Sequence, residues 1–267
     1  MRRAGFRRTG RCWPSVPVLL LSVLIASASE PQRPVPLKSG AEFAGADARA
    51  MQADDFGNPG MLWVTRGESV WREPAGKAGK SCASCHGEAP VTMKGVAARY
   101  PVIDRGDGRL VNLEGRINVC RVRHQGAEPL PYETDTLLAL TAYVAHQSRG
   151  TPVSVVIDAQ NRAHFERGHD FYHRRVGQLN LSCAHCHEVN WGKQLGPETI
   201  SQGHGVAYPA YRLEWQTVGS LHRRFRGCLS AVRAAMLPAG SPEYLDLELF
   251  LAWRANGLPI ETPGVRR

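Results

Sequence analysis

Two short runs set the chemistry open to this sequence. Residues 81–87 read SCASCHG and place Cys82, Cys85 and His86 in a C-x-x-C-H; residues 182–188 read SCAHCHE and place Cys183, Cys186 and His187 in another. This motif is the attachment signal of c-type haem. Two thiols one helical turn apart can each form a thioether to the porphyrin, and the histidine that follows supplies the proximal iron ligand. A bare C-x-x-C could instead be a redox dithiol or half of a zinc site. No βαβ setting for a dithiol is visible, and a histidine after both pairs argues against one shared zinc. Two covalently attached haem c groups are expected.

Two further cysteines need a fate. Cys120 stands 34 residues after His86 and Cys228 stands 41 after His187. Each falls between a haem motif and the last helix of its half, where a c-type domain supplies its distal ligand. Arg116, Arg121 and Arg123 flank Cys120; Arg223, Arg224 and Arg226 precede Cys228 in RRFRGC. Positive charge favours the thiolate, so both thiols are expected to have lowered pKa values and to ligate iron, His/Cys in each half. Other readings stay open. Met236, followed by Leu-Pro, has the spacing of an ordinary distal methionine, whereas Met93 lies too close to His86. His124 is an alternative in the first half. His204 and His222 are weaker candidates, since lone loop histidines are more often solvated. An even cysteine count also permits a Cys120–Cys228 disulfide.

The elements that must hold these residues repeat. The first cysteines of the two motifs are 101 residues apart. Gly67 and Gly168 each stand fifteen residues before them, Trp71 and Tyr172 eleven, and Ser81 and Ser182 one. The spacing predicts a helix carrying an aromatic, then a loop into the haem motif. Residues 136–150 and 244–257 carry apolar residues at three-and-four spacing and end in glycine, the pattern of a capped helix. Leu140 and Leu247 stand ten before that glycine, Tyr143 and Phe250 seven. The expected fold is mainly α, two tandem cytochrome c domains related by internal duplication. The expected boundaries are an N-terminal arm over 29–49, domain 1 over 50–150, a linker over 151–159 and domain 2, the catalytic one, over 160–267.

Residues 1–28 read as a secretory signal peptide: five arginines, a short apolar run from Val16, and Ala26-Ser27-Ala28 as the cleavage site. Its removal takes the formal charge from +9 to +4 and the cysteines from seven to six. A mildly basic chain of this kind is not a nucleic-acid binder by composition. No later segment is long and apolar enough to span a bilayer.

Two C-x-x-C-H motifs, GRINVCR after the first and RRFRGC after the second, resemble the SoxA family of dihaem sulfur-oxidation cytochromes over nearly the whole mature chain. The resemblance implies histidine and cysteine ligands on each iron, with Cys120 on the first and Cys228 on the second. It implies that Cys228 is also catalytic, able to carry an extra sulfur as a persulfide, and that Arg224 sits by the substrate. The implied activity is that of an L-cysteine S-thiosulfotransferase, joining thiosulfate oxidatively to a cysteine of a SoxYZ carrier. The implied partner is a monohaem SoxX cytochrome, in a periplasmic heterodimer. A thiosulfate dehydrogenase forming tetrathionate, or a dihaem electron carrier with Met236 on the second iron, are the other readings.

Overall fold

The computed structural model describes residues 33–267, and of the segment before them Met1 and Gly5 alone. The expected signal peptide therefore lies outside the described residues. From residue 33 the chain first forms a 3-10 turn, Gly40–Phe43, closed by a Ser39/Glu42 capping box, and then α1, Ala46–Ala53. The first half continues with α2 (Met61–Arg72), α3 (Cys82–His86), α4 (Ala89–Thr92), α5 (Leu113–Cys120) and α6 (Asp135–His146). The second half holds α7 (Arg162–His173), α8 (Cys183–His187), α9 (Leu221–Ala231) and α10 (Pro242–Arg254).

In each half the helix before the haem motif crosses the last helix, and a glycine makes the crossing possible. A Cβ on Gly67 of α2 would lie 2.1 Å from the Ala139 carbonyl oxygen of α6, and one on Gly168 of α7 would lie 2.0 Å from that of Asp246 on α10. Backbones this close admit no side chain, which accounts for a helix-interior glycine that otherwise costs about 1 kcal/mol. Aromatics fill the space around each crossing. Trp71 packs at 6.0 Å on Tyr143, and Tyr172 at 5.2 Å on Phe250. The paired offsets in the sequence thus correspond to paired contacts.

Short antiparallel pairs join the helices: β1 (Val102–Ile103) with β2 (Leu110–Val111), and β3 (Gln194–Leu195) with β4 (Glu198–Thr199). A hairpin of β5 (Ala210–Arg212) and β6 (Thr217–Gly219) runs directly into α9, and β7 (Gly264–Arg266) lies parallel to β5. Linker residues 151–155 run between the halves: Val153 N–H donates to Leu258 O and Ser154 N–H to Ala98 O. The arm and α1 reach across to the second half, where Lys38 N–H donates to Gln202 and Gln52 of α1 accepts from Val265 N–H. Residues 33–267 form one compact unit. Among the described residues no helix is long and apolar enough to cross a membrane.

Candidate active site

The second motif is built on α8. Ser182 caps it, its hydroxyl accepting from His185 N–H, and the single turn that follows presents Cys183, Cys186 and His187. The Nδ1 of His187 donates to Ser201 O at 2.7 Å, which fixes the ring and leaves Nε2 free to bind. Gly203 makes room for that ring, since a Cβ there would lie 2.8 Å from His187 Cγ. Cys228 comes from the third turn of α9, within hydrogen-bond reach of His187. Burial pushes its thiol up, but Arg224, His187 and Arg212 outweigh this and bring it down to about 7. In turn the Cys228 thiolate is the chief group raising the pKa of Arg224. Among the described residues no carboxylate lies within ion-pair distance of the Arg224 guanidinium. The other two arginines turn away: Arg223 packs over Trp215, 4.4 Å from the ring centre, and Arg226 is exposed.

The first motif, on α3, is capped in the same way by Ser81. Cys120 is the last residue of α5. Burial raises the Cys82 thiol first, and Cys120 is the next cause; Cys85 acts likewise on Cys120, so the structure brings these three together. The expected lowering of the Cys120 thiol is not found. Burial pushes it up, and the arginines beside it are already paired. Arg116 bonds Asp104 at 2.5 Å and the Tyr100 hydroxyl at 3.2 Å, and Arg123 bonds Asp104 at 2.6 Å and Asp107 at 2.9 Å. Asp104 is buried; burial raises its pKa, but the bonds from Arg123 and Arg116 hold it well below the carboxylate range. Its charge opposes theirs at Cys120. Cys85 and His86 are exposed, and Trp71 lies 5.7 Å from the His86 ring.

The competing readings find little support. All six described cysteines are free, and Cys120 and Cys228 belong to separate groups. Met236 is 50% exposed, and His124 is exposed in the π-helical turn Arg121–Gln125 that follows α5. Among the described residues no group of three or more His, Cys, Asp or Glu converges as a metal cage. His204 and His222, expected to be solvated, are both buried. His204 is driven down to about 3 by burial and by Arg254 and His187. His222, 1% exposed, accepts from Gly240 N–H, lies 2.9 Å from Glu248 and stacks on Tyr132. Its place on one face of α9 with Phe225 and Leu229, at i, i+3 and i+7, was the available signal of burial.

Sequence reasoning also passed over Arg212 and Arg254. Arg254, 0% exposed, spreads its guanidinium over Tyr172 at 4.6 Å and donates to Gln202 O at 3.1 Å. Its Nε and the Tyr172 hydroxyl are buried without hydrogen-bond partners. Buried polar atoms are normally satisfied. Unpaired donors around α8, opposite a histidine with a free Nε2, fit a prosthetic group with acceptor oxygens.

Three comparisons bear on this site. The profile of the family described as SoxA/TsdA, cytochrome c domain, matches residues 66–153, which span the first haem motif and Cys120. The L-cysteine S-thiosulfotransferase subunit SoxA of Pseudaminobacter salicylatoxidans is 45% identical over 230 residues, 86% of this chain and 80% of the relative. That of Rhodovulum sulfidophilum is 40% identical over the same shares. This chain belongs to the SoxA family. The crystal structure of SoxXA from P. pantotrophus superposes with a TM-score of 0.83 at 37% identity, covering 86% of this chain and 87% of that one. A mainly α cytochrome c fold with covalently attached haem follows for this SoxA chain.

Proposed function

We propose that this chain is the catalytic subunit of a periplasmic L-cysteine S-thiosulfotransferase, working as a heterodimer with a SoxX-like monohaem cytochrome. Its substrates are thiosulfate and the cysteine of a SoxYZ-like carrier. The observation that carries the reading is Cys228: a thiol brought to about 7, facing His187 and an Arg224 that no carboxylate neutralises.

The chain is read as two cytochrome c domains, 50–150 and 160–267, related by duplication and joined by 151–159. The matched crossings at Gly67 and Gly168 support this. Cys82 and Cys85 would hold one haem c and Cys183 and Cys186 another, with His86 and Cys120 on the first iron and His187 and Cys228 on the second. Haem, when bound, supplies a one-electron acceptor at each site.

The remaining chemistry belongs to the side chains. Thiosulfate is a small dianion, and the Arg224 guanidinium offers two parallel donors to its sulfonate oxygens. This aims the outer sulfur at Cys228. A carrier thiol and thiosulfate together become a carrier S-thiosulfonate, forming one sulfur–sulfur bond and releasing two electrons and one proton. The electrons leave toward the partner cytochrome. Cys228, or its persulfide, relays sulfur by thiolate attack on sulfur. The positive field of Arg224 keeps Cys228 in the nucleophilic form near neutral pH.

The test is a reconstitution with carrier, partner cytochrome and thiosulfate, read by the intact mass of the carrier. Conjugated carrier from the wild type and none from Cys228→Ser, with both haems retained, is expected. Tetrathionate formed without carrier would replace the reading with a thiosulfate dehydrogenase.

A further inference from the structure

We propose that the seam between the two halves is a proton-operated latch: Glu114 must keep its carboxyl proton for the halves to stay seated, and losing it loosens the seam. Glu114 sits in the first turn of α5 and is 7% exposed. It and Glu248 of α10 line one cavity of about 80 Å³, walled by Tyr100 and Thr141 from the first half and by Tyr208 and Leu251 from the second. Among the described residues no Lys, Arg or His lies within ion-pair distance of the Glu114 carboxyl. The groups that face it are Glu248, Glu133, Tyr132 and His222 of α9. Both carboxyl oxygens of Glu133 are buried without hydrogen-bond partners. The cations of the same elements are committed elsewhere: Arg116 to Asp104 and Tyr100, Arg223 to Trp215, and Arg254 to Tyr172 and Gln202. Arg226 is exposed and Arg224 stands by Cys228. From α6 the cavity meets Thr141 and Ala145, while His146 bonds the Thr262 carbonyl.

His222 is the one facing group able to carry positive charge, and its bonding opposes that. Its Nδ1 accepts the Gly240 N–H at 2.9 Å, so this nitrogen holds no proton and the ring is neutral. Burial also works against the imidazolium, although the carboxylates favour it. Its Nε2 stands 2.9 Å from Glu248 Oε2 but off line for a hydrogen bond, which leaves a buried donor, on a residue 1% exposed, without a partner. Glu248 Oε2 accepts instead from Asn112 Nδ2 at 3.0 Å. Carboxyl groups gathered in a buried place with no cation cannot all ionise. Glu114 is buried where Glu133 and Glu248 are half-buried, and it keeps the proton: burial first, and then Glu248, push it up to about 8.

The contacts that join the halves run through this cluster. Asn112 donates across the seam to Glu248, and Tyr132 stacks on His222 with ring centres 5.7 Å apart. The Tyr132 hydroxyl donates to Asn112 Oδ1 at 2.8 Å, and the same oxygen caps α5 by accepting Gly115 N–H. Glu114 and His222 each stand six residues before a cysteine, Cys120 and Cys228, so both cysteine-bearing helices begin here. A charge on Glu114 would lie against the Glu248 carboxylate inside this set, and the polar cavity beside both has room for the water such a charge draws in. Ionisation therefore acts on the contacts between the halves and not on the helix crossing within either one.

The experiment follows the haem-loaded heterodimer from about pH 6 to about pH 9 with two readouts. The infrared C=O stretch of a protonated carboxyl reports Glu114. Amide exchange at Val153 and Ser154, corrected for its intrinsic rate, reports the seam, because these amides bond Leu258 on one side and Ala98 on the other. Over this range wild type should lose the acid band and at least about tenfold of amide protection together. Glu114→Gln, uncharged at every pH, should lack the band and keep its protection throughout. Glu248→Gln, which removes the facing charge, should move both losses to lower pH. Wild-type protection that stays level overturns the proposal, and so does an equal fall in Glu114→Gln. Should Glu114→Gln fail to fold, Glu248→Gln decides: losses of band and protection that do not shift together overturn it.

Discussion

The two cysteine sites of this chain start from the same parts and end with opposite electrostatics. Each has a serine-capped C-x-x-C-H turn, a later cysteine on a helix and an arginine four residues before that cysteine. At Cys120 that arginine, Arg116, is bonded to Asp104 and Tyr100, and Arg123 is bonded to Asp104 and Asp107. The positive charge is neutralised within the protein, burial prevails, and the thiol is raised. At Cys228 the equivalent Arg224 has no carboxylate within ion-pair distance among the described residues, the thiolate is the chief group acting on it, and the thiol is lowered. A closed ion-pair network suits a site that holds a group in place. An open one suits a site that must take an anion from solution. The serine-capped turn and the glycine crossing are common to both sites, and the aspartates distinguish them.

The largest expected effect tests that division directly. Cys228→Ala should lower carrier conjugation by at least about a thousandfold, in the range seen when a nucleophile is removed, whereas Cys120→Ala should leave it within about tenfold. Equal losses, measured by carrier mass at matched haem content, would break the comparison. Arg224→Gln should cost about a hundredfold in kcat/KM with little change in stability. Arg116→Gln should do the reverse, leaving turnover near wild type and costing about 1–3 kcal/mol in denaturant unfolding, because the buried Asp104 loses one of its two arginine partners.

The pH dependence sharpens the contrast further. The carboxyl of Asp104 is depressed in the folded state, so its contribution is present above the unfolded value of about 3.9 and is lost as pH falls below it. The stability gap between wild type and Asp104→Asn should therefore be full at pH 6 and close in acid. The smallest effect lies at the seam between the halves. Glu114 on α5 is pushed up to about 8, by burial first and then by the Glu248 carboxylate. A raised carboxyl works the other way: its favourable term is present below about 4.3 and drains away as pH rises toward 8. Glu114→Gln should gain on wild type between pH 5 and pH 9 in urea unfolding; a constant difference would place the strain elsewhere.

Much of the frame was legible because it is local or periodic. The helix crossings follow from glycines and aromatics at matched offsets, and the caps of α3 and α8 follow from a serine directly before each motif. The grouping of Cys120 with Cys82 and Cys85, and of Cys228 with His187, was inferred from order along the chain and is what the structure brings together. The failures concern partners distant in sequence. An arginine count around Cys120 cannot reveal that Asp104, sixteen residues earlier, absorbs the charge. Nor does the run around Cys228 announce Arg212, which arrives through a β-hairpin, or Arg254, which arrives from the last helix.

By itself the sequence determined the kind of chemistry: thioether-forming cysteines, histidines placed to ligate, and two further thiols in cationic surroundings. These depend on residue type and short spacing, which covalent geometry carries directly from chain to structure. Only the tertiary structure decided which thiol is lowered and which is raised. That choice depends on burial and on which charges meet at hydrogen-bond distance. Coulomb energies between buried groups vary steeply with separation and local dielectric, and neither is set until the chain has packed.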